Sequence, residues 1–218
     1  MSQGFDWIAP YYDSLARLVF GKTIRRSQLV YLDKIASTAN VLILGGGTGW
    51  ILDELFRVNP TCRVWYVEAS KNMLDKARAR AQGLSVSQVS FIHGTERNLN
   101  QITSIRFDAV IANFYFDVFT TTSLGSVLKD ITNVINTNSK LLVSEFVEIT
   151  RRHRLLLFAM YRFFRWTCSI EATELPDWEG ELRRNGFTVR DSKAFYDGFI
   201  KSSLYVFHPD LPGFSERP

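Results

Sequence analysis

The chain has 218 residues, of which 46% are hydrophobic and 22% are charged, values typical of one globular domain with a sizeable core. Its formal net charge of +4 permits an anionic partner without requiring one. No apolar run reaches about 18 residues and no basic stretch precedes an apolar block near Met1, so the sequence predicts neither a membrane-spanning helix nor a signal peptide. Because only Cys62 and Cys168 are present, we expect free thiols and a cytoplasmic protein.

Residues 1–38 are predicted to form a helical cap that precedes the first strand. The cap opens with Phe5 to Leu15, a segment rich in aromatic residues that includes Tyr12. A second helix is predicted from Lys22 to Ile35 and leads into the strand.

The first strand runs directly into a glycine cluster. Val41 to Leu44 contains no alternating polar residue, which predicts a strand buried on both faces, and a helix-spaced apolar pattern follows from Ile51 to Val58. A dinucleotide site would have a glycine at Trp50, and a phosphate-binding loop would have a lysine after the glycines; this sequence has neither. The cluster between strand and helix consists of Gly45, Gly46, Gly47, Thr48 and Gly49.

A second strand, Arg63 to Glu68, ends in a carboxylate about 20 residues after the glycines, where a ribose-binding acid is expected. Ala69 follows it, and Ser70 is a suitable N-cap for the next helix, which contains Met73. A third strand, Val89 to Ile92, is followed by His93, Gly94, Thr95 and Glu96.

The fourth strand, Phe107 to Asn113, leads into Phe114, Tyr115, Phe116 and Asp117, and these residues are expected to face the ligand crevice. Asp117 is either a base or the cap of a helix predicted from Thr120 to Ile135. The fifth strand, Leu141 to Phe146, contains Glu145 near its end, where the carboxylate could line an acceptor pocket.

Arg151 to Trp166 is predicted to be a basic amphipathic helix, with arginines on one side and apolar residues on the other. One interpretation is a lid with a solvated arginine face; the other is a peripheral contact with an anionic membrane that admits a lipophilic acceptor. Thr173 opens a further helix that ends at Gly186. Two closing strands, Thr188 to Phe195 and Phe199 to Phe207, flank an Asp-Gly hairpin turn, and a tail follows from residue 209.

The glycine loop, the acid that ends the second strand and the Ser-x-x-Met-Leu helix together resemble the class I S-adenosylmethionine-dependent methyltransferases. The opening segment resembles the ubiquinone/menaquinone C-methyltransferases and their small-molecule relatives. The resemblance implies a single domain over residues 1–208, with acceptor-side lid helices at 150–185. It implies an α/β, Rossmann-like, doubly wound and mostly parallel seven-stranded sheet, with helices on both faces and a C-terminal antiparallel hairpin.

The resemblance also implies S-adenosyl-L-methionine as cofactor, S-adenosyl-L-homocysteine as product and a small aromatic or lipophilic acceptor. The residues that it assigns to the cofactor are Tyr12, Gly45, Gly46, Gly47, Thr48, Gly49, Glu68, Ala69, Ser70, Met73, Gly94, Thr95, Glu96, Asn113 and Phe114. Two positions depart from the family: Ile43 replaces an acid that helps to hold the methionine ammonium, and Thr95 replaces an aspartate that binds adenine.

The base for a carbon or oxygen acceptor is not singled out by the sequence, and no metal-site spacing is present. The two departures motivate an alternative hypothesis, a non-catalytic binding protein with a methyltransferase fold. Nucleic-acid methylation is a weaker alternative, because Asn113 to Phe116 lacks the prolines of the adenine-N6 enzymes. The candidate bases are His93, Tyr115, Asp117, Glu145 and His153.

Overall fold

The computed structural model describes residues 20–83, 88–102, 104–168, 172 and 174–209, and for residues 164 and 166–168 it describes the backbone only. The predicted opening segment Phe5 to Leu15, with Tyr12, lies outside the described residues. So does nearly all of the predicted tail.

The described residues form one seven-stranded sheet. Its strands are β1 (Asn40–Leu44), β2 (Arg63–Glu68), β3 (Val89–His93), β4 (Phe107–Asn113), β5 (Ile135–Phe146), β6 (Phe187–Phe195) and β7 (Ile200–Phe207). The order across the sheet is β3-β2-β1-β4-β5-β7-β6. Neighbours among β1 to β5 are parallel, whereas β7 is antiparallel to both β5 and β6. The predicted fold, a mostly parallel sheet closed by an antiparallel hairpin, is confirmed.

Helices pack on both faces of this sheet. They are α1 (Thr23–Leu29), α2 (Trp50–Val58), α3 (Lys71–Ala81), α4 (Thr121–Thr132), α5 (Arg151–Cys168) and α6 (Trp178–Arg184). Alternate residues of β1 enter opposite layers, because successive side chains of a strand point to opposite faces. Leu42 and Leu44 pack in the layer that contains residues of α4 and α6. Val41 and Ile43 pack in the layer that contains residues of α2 and α3.

Three predicted helix boundaries are wrong. The helix predicted from Lys22 to Ile35 ends at Leu29, and a 3₁₀ turn, Leu32–Lys34, follows it. The helix predicted to reach Ile135 ends at Thr132, because the chain already pairs with β4 at Ile135. The helix predicted to open at Thr173 begins at Trp178, because the Asp177 side chain accepts the Gly180 N–H at 3.0 Å and caps it.

The carboxyl edge of the sheet carries a third apolar cluster, which joins β5, α5 and the β6–β7 hairpin. Phe146, at the end of β5, packs with its ring centroid 5.0 Å from that of Phe199 and 5.5 Å from that of Phe20. Leu157 and Tyr161 of α5 belong to the same cluster. Their packing holds α5 across the edge where a ligand crevice is expected.

Candidate active site

The glycine loop after β1 has its shape because side chains are excluded from it. Gly45 and Gly47 have φ values of +62° and +65°, which favour glycine. A Cβ on Gly46 would lie 2.3 Å from the Tyr66 ring, and one on Gly49 would lie 2.7 Å from the Cα of Ala77. At Gly47, in contrast, no described atom lies within 4 Å of such a Cβ, so the loop leaves space for a ligand to approach its backbone.

The Glu68 carboxylate joins the glycine loop to the start of α3. One oxygen accepts the Gly47 N–H at 2.9 Å, and the other accepts the Ser70 N–H at 2.8 Å. Ser70 is confirmed as the N-cap of α3, because its Oγ accepts the Met73 N–H at 3.2 Å. A carboxylate oxygen has two acceptor sites, so Glu68 retains capacity to accept hydrogen bonds from a pair of ribose hydroxyls.

One cavity of about 1290 Å³ opens at the carboxyl ends of β1, β2 and β4. Three of the residues assigned to the cofactor do not line this cavity in the described part of the chain: Gly49 packs against Ala77, Ser70 caps α3, and Tyr12 lies outside the described residues. The assigned residues that line the cavity are Gly45, Gly46, Gly47, Thr48, Glu68, Ala69, Met73, Gly94, Thr95, Glu96, Asn113 and Phe114.

The loop after β3 is held to the loop after β4. The Tyr115 hydroxyl donates to Glu96 at 2.8 Å, and the Thr95 N–H donates to the Asn98 side chain at 3.0 Å. Burial, reinforced by the Glu96 carboxylate, raises the pKa of Tyr115 well above its usual value. A phenol with a raised pKa loses its proton less readily, so this geometry disfavours Tyr115 as a base.

Asn113 offers an unused polar group at the end of β4. Its Nδ2 is buried and has no hydrogen-bond partner among the described residues, although the side chain lines the cavity. A buried N–H donor without a partner is costly, so the position of Nδ2 suits the carboxylate at the amino-acid end of a ligand. Ile43 does not contribute there, because it is 1% exposed in the core layer beneath α2 and α3.

Comparison with known proteins identifies this part of the chain. Residues 41–138 match the family described as Methyltransferase domain, and no curated protein matches the chain. Residues 41–138 therefore form a methyltransferase domain of the class I, S-adenosylmethionine-dependent kind.

Solved structures of low sequence identity share the fold of this domain. A chain of the Haloferax volcanii complex between the Trm112 methyltransferase activator and a methyltransferase is 15% identical, with a TM-score of 0.72, and the match covers 95% of this chain and 98% of that one. An S-adenosylmethionine-dependent methyltransferase from Aquifex aeolicus is 14% identical, with a TM-score of 0.65 and coverage of 92% and 97%. An O-methyltransferase family protein from Burkholderia thailandensis is 18% identical, with a TM-score of 0.64; the match covers 85% of this chain and only 57% of that one. At these identities the likeness shows the fold alone.

Two carboxyl groups lie at the loop that follows β4: Glu145, which is buried beneath it, and Asp117, a partly buried residue of the loop itself. Glu145 is fully buried, and its Oε1 accepts the N–H groups of Tyr115 and Phe116 at 2.9 and 2.8 Å. It therefore orders the loop and, contrary to the prediction, is not among the described residues that line the cavity. Asp117 does line the cavity, and it is not a helix cap, because Thr120 and Ser123 form the capping box of α4.

The environment of this acid pair favours its neutral forms. Burial raises the pKa of Asp117 to about 7. Burial, and then repulsion from Asp117, raises the pKa of Glu145 well above its usual value. Asp117 Oδ1 and Glu145 Oε2 are buried, and neither has a hydrogen-bond partner in the described part of the chain. A carboxyl group with a pKa near neutrality is suited to proton transfer.

The two candidate histidines already have local partners. The His93 ring nitrogen Nε2 donates to the Ala69 carbonyl at 3.0 Å, at the rim of the cavity. His153 is 9% exposed, accepts the Ile149 N–H at 3.3 Å and is not among the described residues that line the cavity. Among the described residues, no cluster of His, Cys, Asp or Glu side chains is arranged to hold a metal ion.

The far wall of the cavity comes partly from α5, which the resemblance placed on the acceptor side as a lid helix, and partly from α1 and the start of α2, which the sequence analysis did not assign to the site. The Arg25 guanidinium lies 4.8 Å from the ring centroid of Trp50, and both residues line the cavity. Arg25 and Trp50 are far apart in the sequence, so no local pattern predicts their contact. The apolar pattern of α5 predicted only the part of the wall that this helix forms. The apolar wall residues are Phe20, Ile24, Val118, Phe146, Leu156, Leu157, Met160, Tyr161 and Phe163.

Proposed function

We propose that the protein transfers a methyl group from S-adenosylmethionine to a small aromatic or lipophilic acceptor, by C- or O-methylation. The observation that carries the proposal is that the glycine loop and Glu68 open into the same cavity as the apolar wall formed by β5, α1 and α5. Its volume of about 1290 Å³ exceeds the roughly 300–1000 Å³ of an ordinary ligand pocket. This volume supports a site for two ligands, a cofactor and an acceptor.

The polar end of the cavity has groups suited to the cofactor. Glu68 would bind the ribose hydroxyls, Ala69 and Met73 would contact the adenine, and Asn113 with the glycine-loop backbone would hold the amino-acid end. When bound, S-adenosylmethionine supplies a methyl group already activated on its sulfonium. The protein's own task is then to hold the acceptor in line with that methyl group, and such positioning contributes roughly 7–11 kcal/mol in favourable cases.

The apolar end of the cavity supports an aromatic or lipophilic acceptor. The Phe114 and Phe146 rings pack with centroids 4.8 Å apart, and Met160 of α5 lines the same cavity. Ring faces attract a sulfonium and exclude water from the reacting atoms. The resemblance of the opening segment to the quinone C-methyltransferase branch supports the same class of acceptor.

Asp117 is the base that we propose for acceptors that must lose a proton. It lines the cavity two residues beyond Tyr115, and burial raises its pKa to about 7. At or above neutral pH the Asp117 carboxylate would accept the hydroxyl or carbon-bound proton of the acceptor, while the acceptor atom takes the methyl group and the methyl–sulfur bond breaks to leave a neutral thioether. Glu145 has a positioning role, because it binds the loop that carries Asp117.

A second candidate function is ligand binding without methyl transfer. Ile43 is the observation that favours it, because this buried apolar residue cannot bind the ammonium of the cofactor. In that case the cavity would bind a nucleoside-like or lipophilic ligand without catalysing its reaction.

Thermal unfolding with S-adenosylmethionine, S-adenosylhomocysteine and NAD in parallel tests the cofactor. A ligand at about 100 times its Kd stabilises by roughly 2.7 kcal/mol, which corresponds to several degrees for this chain. We expect a shift with the two sulfur nucleotides and none with NAD. No shift with either sulfur nucleotide would overturn the proposal. Binding without transfer to any phenol, hydroquinone or acidic carbon acceptor would favour the second function.

A further inference from the structure

The outward face of α5 carries a stripe of basic and apolar side chains. Arg151, Leu155, Phe158, Arg162 and Arg165 follow the spacing i, i+4, i+7, i+11 and i+14, which places all five on one side of a helix. All five are exposed, and Leu155 and Phe158 are 71% and 65% exposed. We call this set the α5 stripe.

The opposite face of the same helix belongs to the acceptor site. Leu157 and Tyr161 are buried in the cluster at the sheet edge, and Leu156, Met160 and Phe163 line or approach the cavity. A single helix layer therefore separates the acceptor end of the cavity from the α5 stripe.

The charge of α5 is of one sign. Its 18 residues include five arginines and neither Asp nor Glu. Arg154 pairs with Glu148 at 2.6 Å, whereas none of the three stripe arginines forms an ion pair among the described residues. None of the described helices is long and apolar enough to cross a bilayer, so a lipid contact by α5 would lie along the surface.

We propose that the α5 stripe docks on an anionic membrane surface, with Leu155 and Phe158 inserted between lipid headgroups and the arginines against their phosphates. A lipophilic acceptor dissolved in the bilayer then enters the cavity past the edge of α5. The choice of acceptor rests on the proposed function; the docking itself does not. A second copy of this chain fits the stripe less well, because a two-fold contact would bring like charges together without acids to neutralise them.

Co-sedimentation with phosphatidylcholine vesicles, with and without phosphatidylglycerol, tests the docking on the full chain. We expect binding to the mixed vesicles alone, and a loss of binding as salt is raised. Each arginine near an anionic surface changes partitioning about fivefold, so Arg151→Gln/Arg162→Gln is expected to weaken binding at least tenfold. Leu155→Ser/Phe158→Ser is expected to weaken binding at low and high salt alike, because it removes the apolar contact.

Matched controls lie away from α5. Arg63→Gln/Lys129→Gln makes the same change of net charge at other exposed positions, and Val189→Ser removes a half-exposed apolar side chain of β6. We expect both controls to bind as the unchanged protein does. Equal weakening in the controls, or no binding of the unchanged protein to mixed vesicles at low salt, would overturn the proposal.

Two further measurements separate this proposal from its alternatives. The thermal shift that S-adenosylmethionine produces should be the same in the stripe variants and in the unchanged protein. Cofactor binding is thereby measured separately from vesicle binding, and the failure of one can be told from the failure of the other. Sedimentation velocity reports self-association. A dimer that Leu155→Ser/Phe158→Ser converts to a monomer, together with absent vesicle binding, would assign the stripe to a second copy and overturn the membrane proposal.

Discussion

The Tyr115 hydroxyl donates a hydrogen bond of 2.8 Å to the Glu96 carboxylate, and it thereby joins the loop after β4 to the loop after β3. Glu96 is 5% exposed, and a Cβ on Gly45 would lie 2.7 Å from the Tyr115 ring. The Tyr115 side chain therefore covers the glycine loop and donates to a buried acid that the resemblance assigned to the cofactor. Adenine recognition through Glu96 would have to share that carboxylate with Tyr115.

Tyr115→Phe is expected to destabilise the fold by about 1–3 kcal/mol, because Glu96 would remain buried without its donor. Chemical unfolding measures the difference. Tyr115→Phe with Glu96→Gln should recover part of the loss, because the neutral amide is less costly to bury than a carboxylate. Equal stability of Tyr115→Phe and the unchanged protein would contradict this account of the pair.

Gly46→Ala is expected to cost about 1–3 kcal/mol of stability and to weaken cofactor binding, because the new methyl would lie 2.3 Å from the Tyr66 ring. Tyr66 also donates to the Gly47 carbonyl at 3.0 Å, so its displacement would disturb the loop backbone. Gly83→Ala is the matched control, since no described atom lies within 4 Å of its added Cβ. Thermal unfolding and calorimetric titration measure both effects. A stable Gly46→Ala with full affinity would show that the loop tolerates a side chain there.

Glu68→Gln is expected to raise the Kd for S-adenosylmethionine about 10- to 100-fold, because hydrogen bonds to a charged acceptor contribute roughly 1.5–3 kcal/mol. An amide oxygen can still accept one of the two N–H groups that Glu68 now binds, so most of the fold should persist. Calorimetric titration measures the affinity and circular dichroism checks the fold. Glu54→Gln is the control, because Glu54 is a partly buried acid of α2 that pairs with Arg57 and does not line the cavity. Unchanged affinity in a folded Glu68→Gln would remove Glu68 from the cofactor site.

The regular elements were predictable because their signals are local. Val41 to Leu44 lacks polar alternation, Ser70 caps its own helix, and Phe107–Asn113 was placed with its observed bounds. Asp117 was ambiguous in sequence because Thr120, three residues later, has the same capping chemistry and a partner in Ser123. The burial of Glu145 beneath a loop 29 and 30 residues away depends on tertiary packing. Residues of α1 and α5 likewise line one cavity although they are far apart in the sequence, and no short-range pattern predicts that they come together.

Asp117 makes stability depend on pH in a defined direction. Its folded pKa is about 7, above the ordinary 3.8, so the folded state binds more protons between these values. The contribution of Asp117 to the free energy of unfolding is therefore complete below about pH 4 and is lost as pH rises toward 7. Asp117→Asn cannot ionise, so its stability should fall less than that of the unchanged protein between pH 5 and about 8. Chemical unfolding at both pH values measures the two losses of stability, and Asp33→Asn, at an exposed position, is the control. Equal losses in Asp117→Asn and the unchanged protein would contradict this role of Asp117.

The same carboxyl group predicts the pH dependence of methyl transfer. If Asp117 is the base, the rate should rise with pH through about 7 as Asp117 ionises, and Asp117→Asn should lose roughly 10²- to 10⁴-fold. Glu145→Gln keeps an acceptor for the Tyr115 and Phe116 N–H groups but removes an ionisable neighbour of Asp117. Burial alone raises the pKa of Asp117, and repulsion from the Asp117 carboxylate keeps Glu145 neutral when Asp117 first ionises, so the midpoint of the pH–rate profile should stay near 7 in Glu145→Gln, with a modest loss of maximal rate. A midpoint that moves to lower pH would show that Glu145 also acts on Asp117 through its charge and not only through the loop. A pH-independent rate in the unchanged protein would exclude Asp117 as the base and favour methylation of an acceptor that carries no proton at the reacting atom.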